Sequence, residues 1–190
     1  REGIVLVHGL TDSPHFMSAL AQFFHHRLGY EVFVPLLQLH GLRNPEKMQG
    51  ADLDLWRDNV SFALQSAATR CERVSIGGLS LGGALSLDAV LGTSLVSGAL
   101  YLFAAALGIG KGPTQLPGRF QEWLLRTPLG ARFDVDWPLI GANPYRYSRM
   151  PLVAARQLAF LMADLQVMLE PLRNGKGIPV PVFAAWSDYD

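Results

Sequence analysis

Arg73-Val74-Ser75-Ile76-Gly77-Gly78-Leu79-Ser80-Leu81-Gly82 is the stretch on which the reading turns. An apolar run over 73–77 leads into Gly78-Leu79-Ser80-Leu81-Gly82, and a helix-like run begins at Leu81. A serine at the tip of a strand-turn-helix bend holds strained backbone angles. Glycines two residues to either side remove the Cβ atoms that would block so close an approach. The hydroxyl then projects clear of the sheet. At this composition a G-x-S-x-G string arises by chance with a probability of about 0.1, so its surroundings must carry the argument. Taken alone, Ser80 is equally a residue that caps the following helix.

Working outward, Ile4-Val5-Leu6-Val7 is a short continuous apolar run of the kind buried on both faces of a parallel sheet, and it stops at His8-Gly9. Ser13-Pro14 offers an N-cap and a first-turn proline to a helix carrying Phe16, Leu20, Phe23, Phe24 and Leu28, which Gly29 closes. Val32-Phe33-Val34 reads as the next strand. Leu53, Trp56, Val60, Ala63, Leu64 and Ala67 share one face of a helix over 53–69. Residues 74–77 form the strand before Ser80, 81–91 the helix after it, and 98–106 a further strand. Helix 156–172 and strand 180–185 follow.

Such alternation predicts an α/β fold: a mostly parallel sheet with helices on both faces and right-handed crossovers. Residues 107–150 break the rhythm, interleaving prolines with Phe120, Trp123, Phe133, Trp137, Tyr145 and Tyr147. They are expected to form an inserted cap, entered through a glycine hinge at 108–112. The organisation predicted is therefore a core over 1–106, a cap over 107–150 and the rest of the core over 151–190.

Four features in order make the chain resemble the α/β-hydrolase superfamily, and within it the carboxylesterase and monoacylglycerol-lipase branch. They are the strand ending in His8-Gly9-Leu10-Thr11, the loop Leu39-His40-Gly41-Leu42-Arg43-Asn44-Pro45-Glu46, the bend at Ser80, and the late strand running into Asp190. The resemblance implies that Ser80 is a nucleophile that forms an acyl-enzyme. It implies an oxyanion hole made by the backbone N–H groups of Leu10 and Leu81. His8 and Gly9 are expected at the substrate pocket, with His8 bracing the loop through hydrogen bonds. Asp190 is expected to be the triad acid, with Asp188 as the competing position. Within the superfamily the histidine follows the acid, yet His8, His15, His25, His26 and His40 all precede Ser80. The base is therefore expected in a segment following Asp190. The opening at Arg1 directly into a core strand likewise leads us to expect further strands outside this chain. A non-catalytic binding protein, or an amidase, peptidase or acyltransferase of the same fold, are the alternatives.

Composition narrows the partners. Of 190 residues 49% are hydrophobic and 17% charged, which excludes disorder, and 16 basic against 16 acidic side chains create no net field for nucleic acid. A small ester or lipid-like molecule suits the chain better. The lone Cys71 forms no internal disulfide and fits a reducing compartment, so a cytoplasmic location is expected. His25 and His26 lack the i,i+4 partners a metal site would want, so no metal is expected, and the resemblance implies no cofactor. No run of 18 apolar residues occurs, so no membrane-spanning helix is expected. Oligomeric state is not legible.

Overall fold

The structure, a computed structural model, describes residues 1–108, 137–138, 143–175 and 177–187. Its first strand shows why an uninterrupted apolar run becomes a central parallel strand. In β1 (Glu2–Val7), Ile4 and Leu6 face one helical layer with Met17 and Phe24, whereas Val5 and Val7 face the other. Both faces need apolar side chains because both are covered.

Around β1 lie β2 (Glu31–Phe33), β3 (Arg73–Leu79), β4 (Leu100–Phe103) and a final strand, β7 (Val182–Ala185). The order β2-β1-β3-β4-β7 is parallel throughout. A short antiparallel pair, β5 (Trp137–Pro138) with β6 (Arg149–Met150), stands apart. The chain steps from β1 out to β2 and then crosses back to β3, so the winding reverses between β1 and β3. The crevice at the carboxyl ends of strands flanking such a reversal is where ligands bind in open α/β sheets. Val7 pairs with Gly78, so β1 and β3 deliver His8 and Ser80 side by side at that edge.

Among the described residues four helices cover the sheet: α1 (Ser18–Leu28), α2 (Leu53–Ala68), α3 (Leu81–Gly92) and α4 (Leu152–Leu169). In α2 the six residues predicted to share a face are all buried, and Trp56 is inaccessible to solvent. Burying each large side chain of this kind contributes about 1.5–3 kcal/mol. The Asp52 carboxylate caps α2, accepting from the Asp54 and Leu55 N–H groups. Gly29 closes α1 at φ 71°, as its position after the last apolar residue predicts.

Some boundaries differ from expectation. Ser13 does not cap α1, because Pro14–Met17 form a tight 3-10 turn closed by the Phe16 N–H to the Ser13 carbonyl at 3.0 Å, and α1 starts after it. Helix α4 starts at Leu152, directly after Pro151, and gives way to a 3-10 turn over Glu170–Asn174, where Pro171 lacks the N–H a continuing helix needs. Pro181 likewise delays β7 to Val182.

Helix α4 with its continuation to Leu172 is 21 residues long with a mean hydropathy of 1.5, enough to cross a membrane by length and composition. That departs from the sequence expectation, which counted only uninterrupted apolar runs. Ala154, Ala159, Leu161, Met162 and Leu165 are buried where the helix packs on α3 and α2, and 28% of its apolar window is buried in all. A polar knot fastens it there. Arg57 on α2 holds Asp88 on α3 at 2.9 and 3.1 Å, and Asp164 on α4 at 2.8 Å.

Candidate active site

Ser80 sits at the N-terminus of α3 with φ 52° and ψ −115°, a conformation costing a non-glycine residue about 1–3 kcal/mol. Its neighbours hold it there. The Ser80 N–H donates to the Phe103 carbonyl at 3.1 Å, and its own carbonyl accepts from Ala84 at 3.2 Å and Ala106 at 3.0 Å. Gly78 and Gly82 are obligatory for a steric reason. A Cβ on Gly82 would run into the Val7 carbonyl, and one on Gly78 into the Gly82 carbonyl. The elbow is thus pressed between the ends of β1 and α3.

The helix-cap reading of Ser80 is not realised, since its side chain makes no capping hydrogen bond. Ser80 belongs instead to the wall of a cleft of about 360 Å³ that includes Leu10, Thr11, Asp12, Arg146 and Leu158. Leu10 and Ser80 are therefore brought together. The N–H of Leu81, first in α3, has no intrahelical carbonyl to meet, and neither it nor the Leu10 N–H bonds a backbone carbonyl among the described residues. The positive end of the α3 dipole lies at the same spot.

The orientation of the Leu10 N–H follows from buried partners. The Leu37 N–H donates to Nε2 of His8 at 3.3 Å, so that nitrogen must carry a lone pair. Its Nδ1 therefore bears the proton and donates to the Gly9 carbonyl at 2.9 Å, and the Asp12 N–H donates to the same oxygen at 3.2 Å. With the Gly9 carbonyl drawn one way, the N–H across that trans peptide points the other.

His8 is fully buried, and burial, then the neighbouring His40, holds it down to about 3, so it stays neutral. It braces the loop from beneath; neither it nor Gly9 is part of the cleft wall. His40 packs 4.8 Å from His8, ring to ring, and its two nitrogens face loop carbonyls, Nε2 that of Leu10 at 2.8 Å and Nδ1 that of Gln38 at 3.0 Å. Burial holds His40 below the ordinary imidazole value as well. The nitrogens of both rings face backbone groups of the loops, so neither ring is turned to Ser80.

Beside the cleft opens a groove of about 460 Å³, sharing Thr11, Asp12 and Arg146 with it. Arg146 and Asp12 were not singled out from sequence. Nε of Arg146 donates to Oδ1 of Asp12 at 3.0 Å, and Asp12 is only 4% exposed. The one available signal was a charge set between two aromatics, Tyr145-Arg146-Tyr147. Tyr147 donates its hydroxyl to the Leu39 carbonyl at 2.7 Å and accepts from the Leu42 N–H at 2.9 Å. It thereby clamps the loop in which Leu39 takes φ 62°.

Asp188 and Asp190 lie outside the described residues, as do 109–136 and 139–142 of the expected cap and most of its glycine hinge. Among the described residues no cluster of histidine, cysteine, aspartate or glutamate is arranged to hold a metal ion.

Compared with known proteins, residues 4–190 match the alpha/beta hydrolase family. Over 174 residues the chain is 29% identical to a thermostable monoacylglycerol lipase of Bacillus sp. (strain H-257), covering 88% of the chain and spanning 64% of that relative's length. Among solved structures, it is similar to one from work on the metagenome-derived lipolytic enzymes LipS and LipT, with 25% identity, a TM-score of 0.78, and 97% and 71% of the two chains covered. The monoacylglycerol lipase of Paleococcus ferrophilus shares the fold at 16% identity and a TM-score of 0.69, over 95% and 71% of the chains.

Proposed function

Because the chain belongs to the alpha/beta hydrolase family, we propose that it is a serine hydrolase of carboxylic esters, acting on short or medium acyl chains or monoacylglycerol-like substrates through an acyl-enzyme. The observation that carries the reading is Ser80: left-handed, uncapped, at the sheet's winding reversal, and in one cleft wall with Leu10. The lipolytic relatives support an ester or lipid-like substrate.

In this scheme Oγ of Ser80 attacks the ester carbonyl carbon while its proton passes to a base. The carbonyl oxygen becomes an oxyanion facing the N–H groups of Leu10 and Leu81, each contributing about 3 kcal/mol to the transition state. The C–O bond to the alcohol then breaks, and the alcohol leaves with the base's proton. Water repeats the sequence on the acyl-serine, releasing the acid and restoring Ser80. The base is a histidine oriented by the Asp190 carboxylate, in keeping with the sequence expectation. His8 and His40 do not serve, because their nitrogens are committed to the loop.

A fluorophosphonate probe tests this on the full-length protein. Labelling of Ser80 that disappears in Ser80→Ala, with hydrolysis of octanoylglycerol lost alongside, is the expected result. Labelling that persists unchanged in Ser80→Ala overturns the assignment. A wild-type protein that binds octanoylglycerol but neither labels nor hydrolyses it is the non-catalytic binding protein.

A further inference from the structure

We propose that Arg146 binds an acidic oxygen group of the substrate, carboxylate or phosphate, in the groove that opens beside Ser80. The inference rests on the ester-hydrolase reading and adds a substrate class to it. Arg146 belongs to both the Ser80 cleft and the 460 Å³ groove, so whatever it holds lies next to the reacting carbonyl.

The side chain is fixed but not used up. Its Nε is tied to the buried Asp12, and its guanidinium carbon lies 5.4 Å from the centre of the Phe16 ring. Among the described residues, its two terminal nitrogens make no hydrogen bond or ion pair, and the side chain is 38% exposed. A guanidinium anchored through Nε presents the remaining nitrogens as a fork matching the two oxygens of a carboxylate or phosphate, with little rotamer freedom left to lose.

The charge count in the groove favours an anion over a neutral hydroxyl. Arg43 lines the same groove and has no ion pair among the described residues. Two guanidinium groups therefore face one carboxylate, that of Asp12, leaving a local excess of positive charge in a chain whose formal total is +0. That imbalance is local, so composition does not reveal it. A bound oxyanion would balance it.

The test compares kcat/KM within two matched ester pairs on the full-length protein. The first is octanoylglycerol against octanoylglycerol 3-phosphate, placing phosphate on the alcohol side. The second is diethyl adipate against monoethyl adipate, placing carboxylate on the acyl side. The expected result is a preference for the charged member of roughly tenfold or more in at least one pair, as a charge-assisted fork warrants. The ratio should fall close to unity in Arg146→Gln and recover only in part in Arg146→Lys, whose ammonium lacks the fork.

No preference in either pair, or a ratio in Arg146→Gln equal to wild type because both members fall together, overturns the proposal. Calorimetric binding of octanoylglycerol 3-phosphate and of monoethyl adipate to Ser80→Ala and to Ser80→Ala/Arg146→Gln separates this inference from the catalytic one. Tighter binding of either ligand by the first variant supports the acidic subsite even if no ester is turned over, and equal affinities for both ligands overturn it even if esters are.

Discussion

Replacing Gly82 by alanine tests the steric argument for the elbow. A Cβ there would strike the Val7 carbonyl and come within 2.6 Å of the His8 carbonyl oxygen. These obstacles are main chain at the end of β1, so no side chain can swing aside, and α3 must move off the sheet. Overpacking of this kind costs about 3 kcal/mol. A gain of about 1 kcal/mol from replacing a helical glycine offsets part of it. The net loss of about 2 kcal/mol corresponds to a melting temperature lower by roughly 4–8 °C for a chain of this size.

The same movement carries Ser80 away from the Leu10 amide, and a displacement of about 1 Å slows a positioned reaction on the order of 100-fold. Gly92, the last residue of α3, is the matched control. A Cβ there meets nothing within 4 Å, so Gly92→Ala should stabilise by about 0.5 kcal/mol and leave the serine untouched. Urea and thermal unfolding read the first quantity, and the rate of fluorophosphonate labelling reads the second. If Gly82→Ala melts with or above wild type and labels at the same rate, the claim that the glycine is sterically required is wrong.

Two further outcomes follow from the buried polar groups. Folding holds His8 down to about 3 from an ordinary value of 6.5, with His40 shifted the same way, so the unfolded chain takes up protons first. The stability they contribute is complete above pH 6.5 and drains as pH falls toward 3, His8 accounting for about 1.4 kcal/mol per pH unit. Urea midpoints that stay level between pH 7 and 5 would contradict this. Arg57→Ala should cost about 2 kcal/mol, because it strands Asp88, whose side chain is 14% exposed, and frees α4 from α2. In a double-mutant cycle with Asp88→Ala the losses should be clearly less than additive, and strict additivity would show that the pair is not coupled.

What was legible in the sequence is what local sterics imprint on it. The run Ile4-Val5-Leu6-Val7 announces a strand covered on both faces because both sides need apolar atoms, and the buried stripe of α2 is announced by its spacing. Gly78 and Gly82 announce the bend because only glycine fits against Val7. Helix ends read less well. Ser13 looks like a cap, yet its carbonyl closes a tighter turn, and Pro171 and Pro181 shift boundaries by removing N–H donors. Least legible are pairings across the fold: Arg146 with Asp12, and Arg57 with Asp164, are separated by 134 and 107 positions and share no periodicity.

His8 braces the loop through hydrogen bonds, as the resemblance implies, and folding adds His40 to the same task. Burial deprives both of the proton affinity a base requires and turns their nitrogens to backbone groups. The same burial makes them good braces. A neutral ring can accept from Leu37 and donate to Gly9 at once, whereas an imidazolium could only donate, leaving the Leu37 N–H without an acceptor. The Gly9-Leu10 peptide, whose N–H is the proposed oxyanion donor, is thus held by a ring that works only while uncharged. Acid lowers stability by protonating the unfolded chain from about pH 6.5, whereas in the folded chain this brace is lost only near pH 3. The urea midpoint should therefore fall well before the rate of Ser80 labelling does, and a His8 ring found protonated by NMR in the folded protein at about pH 5 would overturn this account of the brace.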